Sequence, residues 1–275
     1  MKSFFFIPAS RLQNISKIRS LGPDNIIIDF EDAILEEEID TYFEQLKALI
    51  NIESNWFRLP VRKGFKDELN LKYIEKFASI GVKFVILPKL KTVSELLTIC
   101  RAFQSINFII LIEHPRLLLE MRQVLMNDMD ALKNILGLGI GSHDLTTILH
   151  AKHEKEQLDY PRKEVLYLAK AYDLLAIDIA SMDIFDKSSF DEEIEYGKDN
   201  GYDAKFIIHP KQLLWFQKNI QNQQNSLVWA RKVLQKLPKN YAGEDIAPFV
   251  LDKEVIEKPH AIKAMEIVKK HTNDK

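Results

Sequence analysis

The chain has 275 residues, of which 46% are hydrophobic, so it can bury a large core in one or two domains. Its formal net charge is −2, from 38 basic and 40 acidic residues, and no basic stripe interleaved with aromatic residues indicates nucleic-acid binding. No apolar run approaches the roughly 18 residues that a membrane span needs, so no membrane partner is expected.

The cysteine content and the first residues indicate a cytoplasmic protein. Cys100 is the one cysteine, so no internal disulfide can form, which fits a reducing compartment. The apolar segment that begins at Ser3 is interrupted by Pro8 and is too short for the hydrophobic part of a signal peptide.

Short apolar runs alternate with amphipathic helical patterns, such as those at 67–81 and 92–103. Such runs are typical of strands buried on both faces. The eight runs lie at 3–9, 25–31, 55–60, 83–89, 107–113, 135–141, 174–180 and 204–210. Eight strand–helix units predict a parallel sheet closed into a (β/α)₈ TIM barrel. The main alternative, an open doubly wound sheet, normally has a glycine-rich turn after its first strand, and none is present here.

The last part of the chain has a different pattern. An amphipathic helix is predicted at 226–237, followed by a loop, a short hairpin around 250–255 and a last helix from about Pro259. We therefore expect a barrel over residues 1–220 and a C-terminal helical extension over 221–275, which is too short to be an independent domain.

Ionisable residues stand at or just beyond the end of every predicted strand, where TIM barrels place their active sites. In chain order they are Arg11; Asp29, Glu31 and Asp32; Arg58; Lys89; Glu113; Asp144; Asp178 and Asp183; and His209 and Lys211. Any one of them could be a salt bridge or a helix cap. All of them together predict a charged pocket for a small anionic substrate.

Two of these residues are candidate metal ligands. Glu113 and Asp144 follow consecutive strands and offer hard oxygen atoms, which suit Mg²⁺, with Mn²⁺ as an alternative. Without a cysteine cluster or an H-E-x-x-H motif, zinc is not expected. Arg11 and Arg58 can each grip a carboxylate or phosphate at two points. A divalent cation beside an arginine is suited to stabilising an enolate.

Several segments resemble the motifs of the HpcH/HpaI aldolase and citrate lyase β-subunit family. In chain order they are FFFIPASR, IIIDFEDAI, FRLP, VILPKLKTVSEL, LIEHPRLLL, GLGIGSHDLT, AKFIIHPKQL and VLDKEVIEKPHAIKA. The resemblance covers nearly the whole chain. D-F-E-D-A and K-F-I-I-H-P-K-Q are its most specific parts.

The resemblance implies a TIM-barrel enzyme that makes or breaks a carbon–carbon bond through a metal-stabilised enolate. It places the metal ligands at Glu113 and Asp144 and a catalytic, substrate-gripping arginine at Arg58. It associates Arg11 with an acyl-CoA or the acid substrate. Lys89, in the L-P-K motif, joins the substrate-binding group.

The resemblance also assigns residues around the reacting centre and in the tail. Glu31 and Asp32 belong to the acidic catalytic motif, with Glu31 expected nearest the reacting atoms. The backbone N–H groups of Ser142 and His143 would face the substrate carboxylate. In the lyases that act on CoA thioesters, an acidic tail residue, here Glu257, reaches a neighbouring subunit's site. Such enzymes are commonly trimers, which implies that the extension packs on a neighbouring subunit of a homotrimer.

The chain departs from the family pattern at several positions. Ala9 and Ser10 replace a Gly-Asn pair, and His114 replaces a threonine beside a metal ligand. The stretch at 35–45, LEEEIDTYFEQ, is acidic where the family has lysine and arginine, and this weakens the case for CoA phosphates. Glu257 replaces an aspartate. These differences indicate a changed second substrate.

The leading hypothesis is therefore a Mg²⁺-dependent lyase or aldolase that acts on a β-hydroxy acid or its CoA thioester. Its products would be a 2-keto acid, such as pyruvate, glyoxylate or oxaloacetate, and an acyl fragment. Whether that fragment is carried by CoA, an acyl-carrier protein or a free acid is open. A class II pyruvate aldolase for hydroxy-keto acids is the runner-up. A non-catalytic barrel that binds a keto acid or a partner protein is the alternative from another class.

Overall fold

The computed structural model describes residues 1–48, 52–127, 132–238 and 241–272. Eight parallel strands form a closed barrel in chain order, which confirms the predicted (β/α)₈ TIM-barrel fold. The strands are β1 (Lys2–Pro8), β2 (Asn25–Asp29), β3 (Trp56–Arg58), β4 (Phe84–Leu87), β5 (Asn107–Ile112), β6 (Ile135–Ile140), β7 (Leu175–Asp178) and β8 (Ala204–Ile207). Each ends slightly before the predicted end, so Glu31, Lys89 and Glu113 lie in the loops that follow their strands.

Helices lie between the strands along the chain and after the last of them. They are α1 (Ile15–Ser20), α2 (Ile39–Lys47), α3 (Lys72–Ala78), α4 (Val93–Ala102), α5 (Pro115–Asn127), α6 (Ser142–Ile148), α7 (Lys155–Ala171), α8 (Lys187–Asn200), α9 (Pro210–Gln235) and α10 (Lys258–Thr272). The helix predicted at 226–237 is the second half of α9. Pro210 suits the first helical position, and no glycine or further proline interrupts α9. Among the described residues, no helix is both long and apolar enough to cross a bilayer.

The strands are apolar on both faces because one face fills the barrel and the other lies under the helices. The cluster inside the barrel consists of Phe4, Ile27, Trp56, Ile86, Ile109, Leu111, Ile177, Ala204 and Phe206. A Cβ atom on Gly139 would meet the ring of Phe206 at 2.7 Å, so the glycine makes room for this ring. The packed interior gives the loops above it a rigid base.

Strand register sets which functional residues become neighbours. Asp29 lies opposite Arg58 where β2 pairs with β3. Ile112 lies opposite Ile140 at the ends of β5 and β6, so the chain beyond each strand leaves the barrel side by side. Glu113 and Gly141 therefore begin adjacent loops.

The chain divides into two compact units, residues 1–214 and 215–275. The second unit contains most of α9, the antiparallel hairpin of β9 (Phe249–Leu251) and β10 (Glu254–Ile256), and α10. The hairpin and the last helix lie where the sequence predicted them. Its small core consists of Ala230, Val233, Ile256 and Ala264. The packing of this extension on a neighbouring subunit stays a prediction.

Candidate active site

A cavity of about 380 Å³, the mouth cavity, opens at the C-terminal ends of the barrel strands. It is lined by Phe6, Pro8, Asp29, Asp32, Arg58, Leu111, Glu113, Ile140, Gly141, Ser142, His143, Asp144, Ala180, Met182, Phe206 and Ile208. Its volume is at the small end of the about 300–1,000 Å³ that is usual for ligand pockets. The predicted residues Asp32, Arg58, Glu113, Ser142, His143 and Asp144 are thus brought together.

Glu113 lies directly after β5 with its side chain buried. The backbone N–H of Lys89 donates a hydrogen bond to its Oε2 atom. Burial raises the pKa of Glu113 well above its usual value, and the nearby charges of Glu31 and Asp144 raise it further. A carboxylate in this position is costly unless a positive charge compensates it.

The space beside Glu113 depends on Gly141. A Cβ atom on Gly141 would approach Oε1 of Glu113 at 2.1 Å, which no packed structure tolerates. The helix α6 begins directly after Gly141. Asp144 lies in the first turn of this helix and is half-buried in the cavity wall. The two predicted metal ligands therefore share one wall of the cavity.

Arg58 is held by three carboxylates. Its Nε and Nη2 atoms donate to Oδ1 and Oδ2 of Asp29, both at 2.7 Å. Its Nη1 atom lies 3.2 Å from carboxylate oxygens of Glu31 and of Asp32. Burial alone would lower the pKa of Arg58, but Asp29, Glu31 and Asp32 raise it, so the guanidinium stays charged. Arg58 is at the predicted place, but most of its donors already have protein partners.

Lys89 joins the same group of charges. Its ammonium group pairs with Glu31 and lies 2.8 Å from Oδ1 of Asp32. Burial would lower the pKa of Lys89, but the two carboxylates raise it. Lys89 has a φ of 53°, a left-handed conformation that is strained for a residue with a side chain. This conformation presents the backbone N–H to Glu113 and the ammonium group to Glu31.

Glu31 and Asp32 have different environments. Burial raises the pKa of Glu31 to about 7, against the attraction of Arg58, and the charge of Asp32 raises it as well. Its Oε2 atom is buried without a hydrogen bond, although Arg58 lies nearby. Burial would also raise the pKa of Asp32, but Arg58 and the hydrogen bonds from Glu31 and Lys89 lower it below its usual value.

A second cavity of about 530 Å³, the side cavity, lies between the segments that follow β2 and β3. Glu31 and Lys89 line this side cavity and not the mouth cavity, whereas Asp32 lines both. The expectation that Glu31 is the acidic residue nearest the reacting centre stays a prediction. In the structure Asp32 is the residue of this pair that faces the mouth cavity.

Ser142 and two histidines form a contact that the sequence did not reveal. The Oγ atom of Ser142 lies 2.8 Å from Nε2 of His153, and the rings of His143 and His153 stack with their centroids 3.8 Å apart. Burial and the neighbouring His143 lower the pKa of His153. The closeness of His143 and His153 in the sequence was a signal, but their spacing fits no standard site motif.

Two predicted site residues lie elsewhere. Arg11 is exposed in the 3₁₀ segment after β1 and does not line the mouth cavity. The pKa of His209 is lowered mainly by burial, and the charges of Lys211 and Arg11 lower it further. Glu257 is exposed just before α10 in the second unit, where its backbone N–H donates to Nδ1 of His260. The roles assigned to both residues stay predictions.

Asp178 does not face the mouth cavity, contrary to its place in the predicted set of strand-end groups. It is fully buried and accepts two hydrogen bonds from Arg162 of α7, at 3.0 and 2.7 Å. Lys205 of β8 lies 3.7 Å from the same carboxylate. Asp178 is therefore part of a buried ion pair between the barrel and α7, and it holds the scaffold together.

The donor set of the mouth cavity fits a hard divalent cation. Among the described residues, no three side chains of histidine, cysteine, aspartate or glutamate converge as a complete metal cage. Glu113 and Asp144 offer two carboxylates, which would leave other positions to water or substrate oxygen, as is usual for Mg²⁺. Glu113 is buried, and a cation bound beside it would compensate its charge.

Known proteins similar to this chain include enzymes and their solved structures. The (3S)-malyl-CoA thioesterase of Cereibacter sphaeroides strain KD131 is 25% identical over 216 residues, which cover 77% of this chain and 74% of the relative. Citrate lyase subunit beta of Leuconostoc mesenteroides subsp. cremoris is 22% identical in an alignment that covers 98% of this chain and 92% of the relative. The crystal structure of CitE from Mycobacterium tuberculosis with magnesium, acetoacetate and coenzyme A matches with a TM-score of 0.72 and 21% identity, covering 98% of each chain.

The family assignment rests on a match to most of the chain. The sequence profile of the HpcH/HpaI aldolase/citrate lyase family matches residues 2–210, which span the whole barrel. The predicted resemblance is confirmed, and with it the assignment to a family of lyase and aldolase enzymes. This chain belongs to the HpcH/HpaI aldolase/citrate lyase family.

Proposed function

We propose that this protein is a Mg²⁺-dependent carbon–carbon lyase or aldolase, which cleaves or forms a β-hydroxy acid or its CoA thioester through an enolate. The observation that carries the proposal is the buried carboxylate of Glu113, which shares the wall of the mouth cavity with Asp144. A scaffold gains nothing from a desolvated carboxylate beside a second one. A divalent cation would compensate both charges.

Glu113 and Asp144 would hold the metal ion, and Mn²⁺ could replace Mg²⁺ because it prefers the same oxygen ligands. When bound, the cation supplies Lewis-acid stabilisation of the negative charge that develops on the substrate oxygen. CitE from Mycobacterium tuberculosis has been solved with magnesium and pyruvate, which supports this assignment. The backbone of Ser142 and His143, at the start of α6, would orient the substrate carboxylate.

Cleavage requires that the β-hydroxyl group of the substrate lose its proton while the carbon–carbon bond breaks. We assign this proton to the carboxylate of Asp32, which lines the cavity and whose lowered pKa keeps it ionised at neutral pH. Glu31, with a pKa of about 7, can then share the proton. Arg58 and Lys89 hold both carboxylates in place through their ion pairs.

Metal binding is the direct test of this site. Glu113→Ala and Asp144→Ala should each weaken Mg²⁺ binding at least about tenfold, as measured by calorimetric titration of the purified protein. Asp40→Ala is the matched control, because Asp40 is an exposed carboxylate of α2 that pairs only with Lys76 among the described residues. Unchanged affinity in the Glu113 and Asp144 variants would contradict the proposed site.

Hydrolysis of the thioester bond is a second candidate, favoured by the similarity to (3S)-malyl-CoA thioesterase. The two reactions differ in their products. Cleavage of a β-hydroxyacyl-CoA yields a carbonyl compound and a shorter acyl-CoA, whereas hydrolysis releases free CoA thiol. A thiol assay beside a carbonyl assay on the same substrate therefore distinguishes them.

The lyase proposal also includes assembly into a homotrimer, in which Glu257 of one subunit completes the active site of a neighbouring subunit.

A further inference from the structure

The mouth cavity has a strongly uneven distribution of charge. Its ionic residues lie at the last positions of β2 and β3 or in the segments after β2, β5 and β6: they are Asp29, Asp32, Arg58, Glu113, His143 and Asp144. Its apolar residues come mainly from the opposite sector of the barrel: they are Phe6, Leu111, Ile140, Ala180, Met182, Phe206 and Ile208. In a closed barrel of eight strands in chain order, β7 lies diametrically across from β3. Arg58 and the segment with Ala180 and Met182 thus face each other across the opening.

Arg58 is the one lysine or arginine among the described residues that line this cavity. Asp29 occupies two of its nitrogen atoms at 2.7 Å, and the third lies 3.2 Å from Glu31 and from Asp32. Lys89 lines the side cavity and is paired with the same two acidic residues. The apolar sector therefore has no free cation for a second negative group on a ligand.

Most of the apolar sector is packed against neighbouring side chains. The rings of Phe6 and Phe206 lie 5.4 Å apart, and Gly139 leaves the room that the ring of Phe206 needs. Leu111 and Ile140 are buried, whereas Met182 is exposed at the rim. Such a surface favours an alkyl group by about fourfold per methylene that it removes from water. A carboxylate there would lose its hydration without gaining a partner.

We propose that the mouth cavity selects a 2-keto acid with an uncharged alkyl side chain and discriminates against one with a second carboxylate. This inference rests on the proposed function, because it assumes that the keto acid binds with its carboxylate toward the ionic sector. The alkyl group then lies on Leu111, Ala180 and Phe206, whereas the ring of Phe6 has the guanidinium of Arg58 5.1 Å from its centroid. The small volume of the cavity limits this group to a short chain.

Two ligands of nearly equal size provide the test. 2-Oxobutyrate and oxaloacetate differ in one group, since the terminal methyl of the first is a carboxylate in the second. We would measure the affinity of the full chain for both, and for pyruvate, by ligand-detected NMR titration in saturating Mg²⁺. 2-Oxobutyrate should bind about fourfold more tightly than pyruvate, and oxaloacetate at least about tenfold more weakly than 2-oxobutyrate.

A charge added to the apolar sector should change this order. Met182→Lys places a cation on the exposed rim of the cavity and should tighten oxaloacetate by up to about fivefold, with no gain for 2-oxobutyrate. Phe185→Lys is the matched control, because Phe185 is an exposed residue of the same loop that does not line the cavity. It adds the same charge and should leave the order unchanged.

The possible outcomes separate this inference from the proposed function. Oxaloacetate binding to the unmodified protein as tightly as 2-oxobutyrate would overturn the selectivity and leave the lyase proposal intact. An equal effect of Met182→Lys and Phe185→Lys would show that the apolar sector is not the contact surface, and would also overturn it. If none of the three keto acids bound in the presence of Mg²⁺, both proposals would be wrong.

Discussion

Gly141 lies so close to Glu113 that a Cβ atom at position 141 would meet the Oε1 atom of the carboxylate at 2.1 Å. The backbone of Gly141 has a φ of −86°, which an alanine also adopts, so the glycine is needed for space and not for conformation. The loop after β6 thereby allows the carboxylate from β5 to stand at the cavity wall.

Gly141→Ala should therefore displace the Glu113 carboxylate. We expect Mg²⁺ affinity to fall at least about tenfold and the free energy of unfolding to fall by about 1–3 kcal/mol from overpacking. Calorimetric titration and denaturant unfolding would measure the two effects. Gly64→Ala is the control, since a Cβ atom there meets only Asp67 at an ordinary 3.7 Å. Equal behaviour of both variants would contradict the assigned role of Gly141.

The Arg58–Asp29 pair should contribute to stability as well as to the site. Arg58→Ala leaves the buried carboxylate of Asp29 without its two hydrogen bonds and should lower the free energy of unfolding by about 3–5 kcal/mol. Arg58→Lys keeps the charge but loses the two-point geometry, so its loss should be smaller. Arg116→Ala, which breaks only an exposed pair with Glu120, should cost less than about 1 kcal/mol. Chemical denaturation would compare the three variants.

The raised pKa of Glu31 predicts a pH-dependent difference between the protein and its Glu31→Gln variant. Below pH 4.5 Glu31 is protonated in both the folded and unfolded states, whereas near pH 6 only the folded state holds the proton. Its contribution to stability therefore decreases as pH rises from 4.5 and is fully lost above pH 7. The shift of about 2.5 pH units corresponds to about 3 kcal/mol.

Unfolding experiments in urea at pH 5, 6 and 7.5 would test this prediction. The variant should gain stability relative to the unmodified protein as pH rises, because glutamine does not ionise. Other carboxylates titrate in both proteins, so the difference between them reports mainly on Glu31. A difference that is constant from pH 5 to 7.5 would show that Glu31 is ionised throughout this range.

The Arg162–Asp178 pair should matter for the scaffold alone. Arg162→Met removes the partner that donates two hydrogen bonds to the fully buried Asp178 and should lower the free energy of unfolding by about 3–5 kcal/mol. Mg²⁺ affinity of the folded variant should be unchanged, because neither residue lines the mouth cavity. A large loss of metal binding in a variant that remains folded would contradict this separation of roles.

The sequence predicted the barrel well because its strands are buried on both faces and therefore appear as uninterrupted apolar runs. Glu113 and Asp144 could be assigned to the active-site end because parallel strands of a barrel all end at the same rim. Gly141 gave no such signal, because its role depends on a distance between two loops.

The features that the sequence did not resolve share one physical origin. When a strand is apolar on both faces, its sequence pattern does not show which face a polar residue lies on. The sequence therefore predicted that Asp178 ends its strand, but not that its side chain points toward the helices. Glu31 and Asp32 are adjacent in sequence but differ in which cavity they line. The contact between Ser142 and His153 joins α6 to the loop before α7, and the path of that loop is not encoded in a short motif.

Exchange of α-protons measures directly whether the mouth cavity promotes enolate formation. The protein would be incubated with Mg²⁺ in D₂O, with pyruvate and acetyl-CoA in separate samples, each with and without glyoxylate or oxaloacetate, and followed by NMR. We expect exchange in at least one sample, and none above background with Glu113→Ala. Exchange of acetyl-CoA would indicate the thioester lyase, and exchange of pyruvate alone would indicate the aldolase. If Mg²⁺ and the keto acid bound without exchange in any sample, the barrel would be a binding protein, and the proposed enolate chemistry would be wrong.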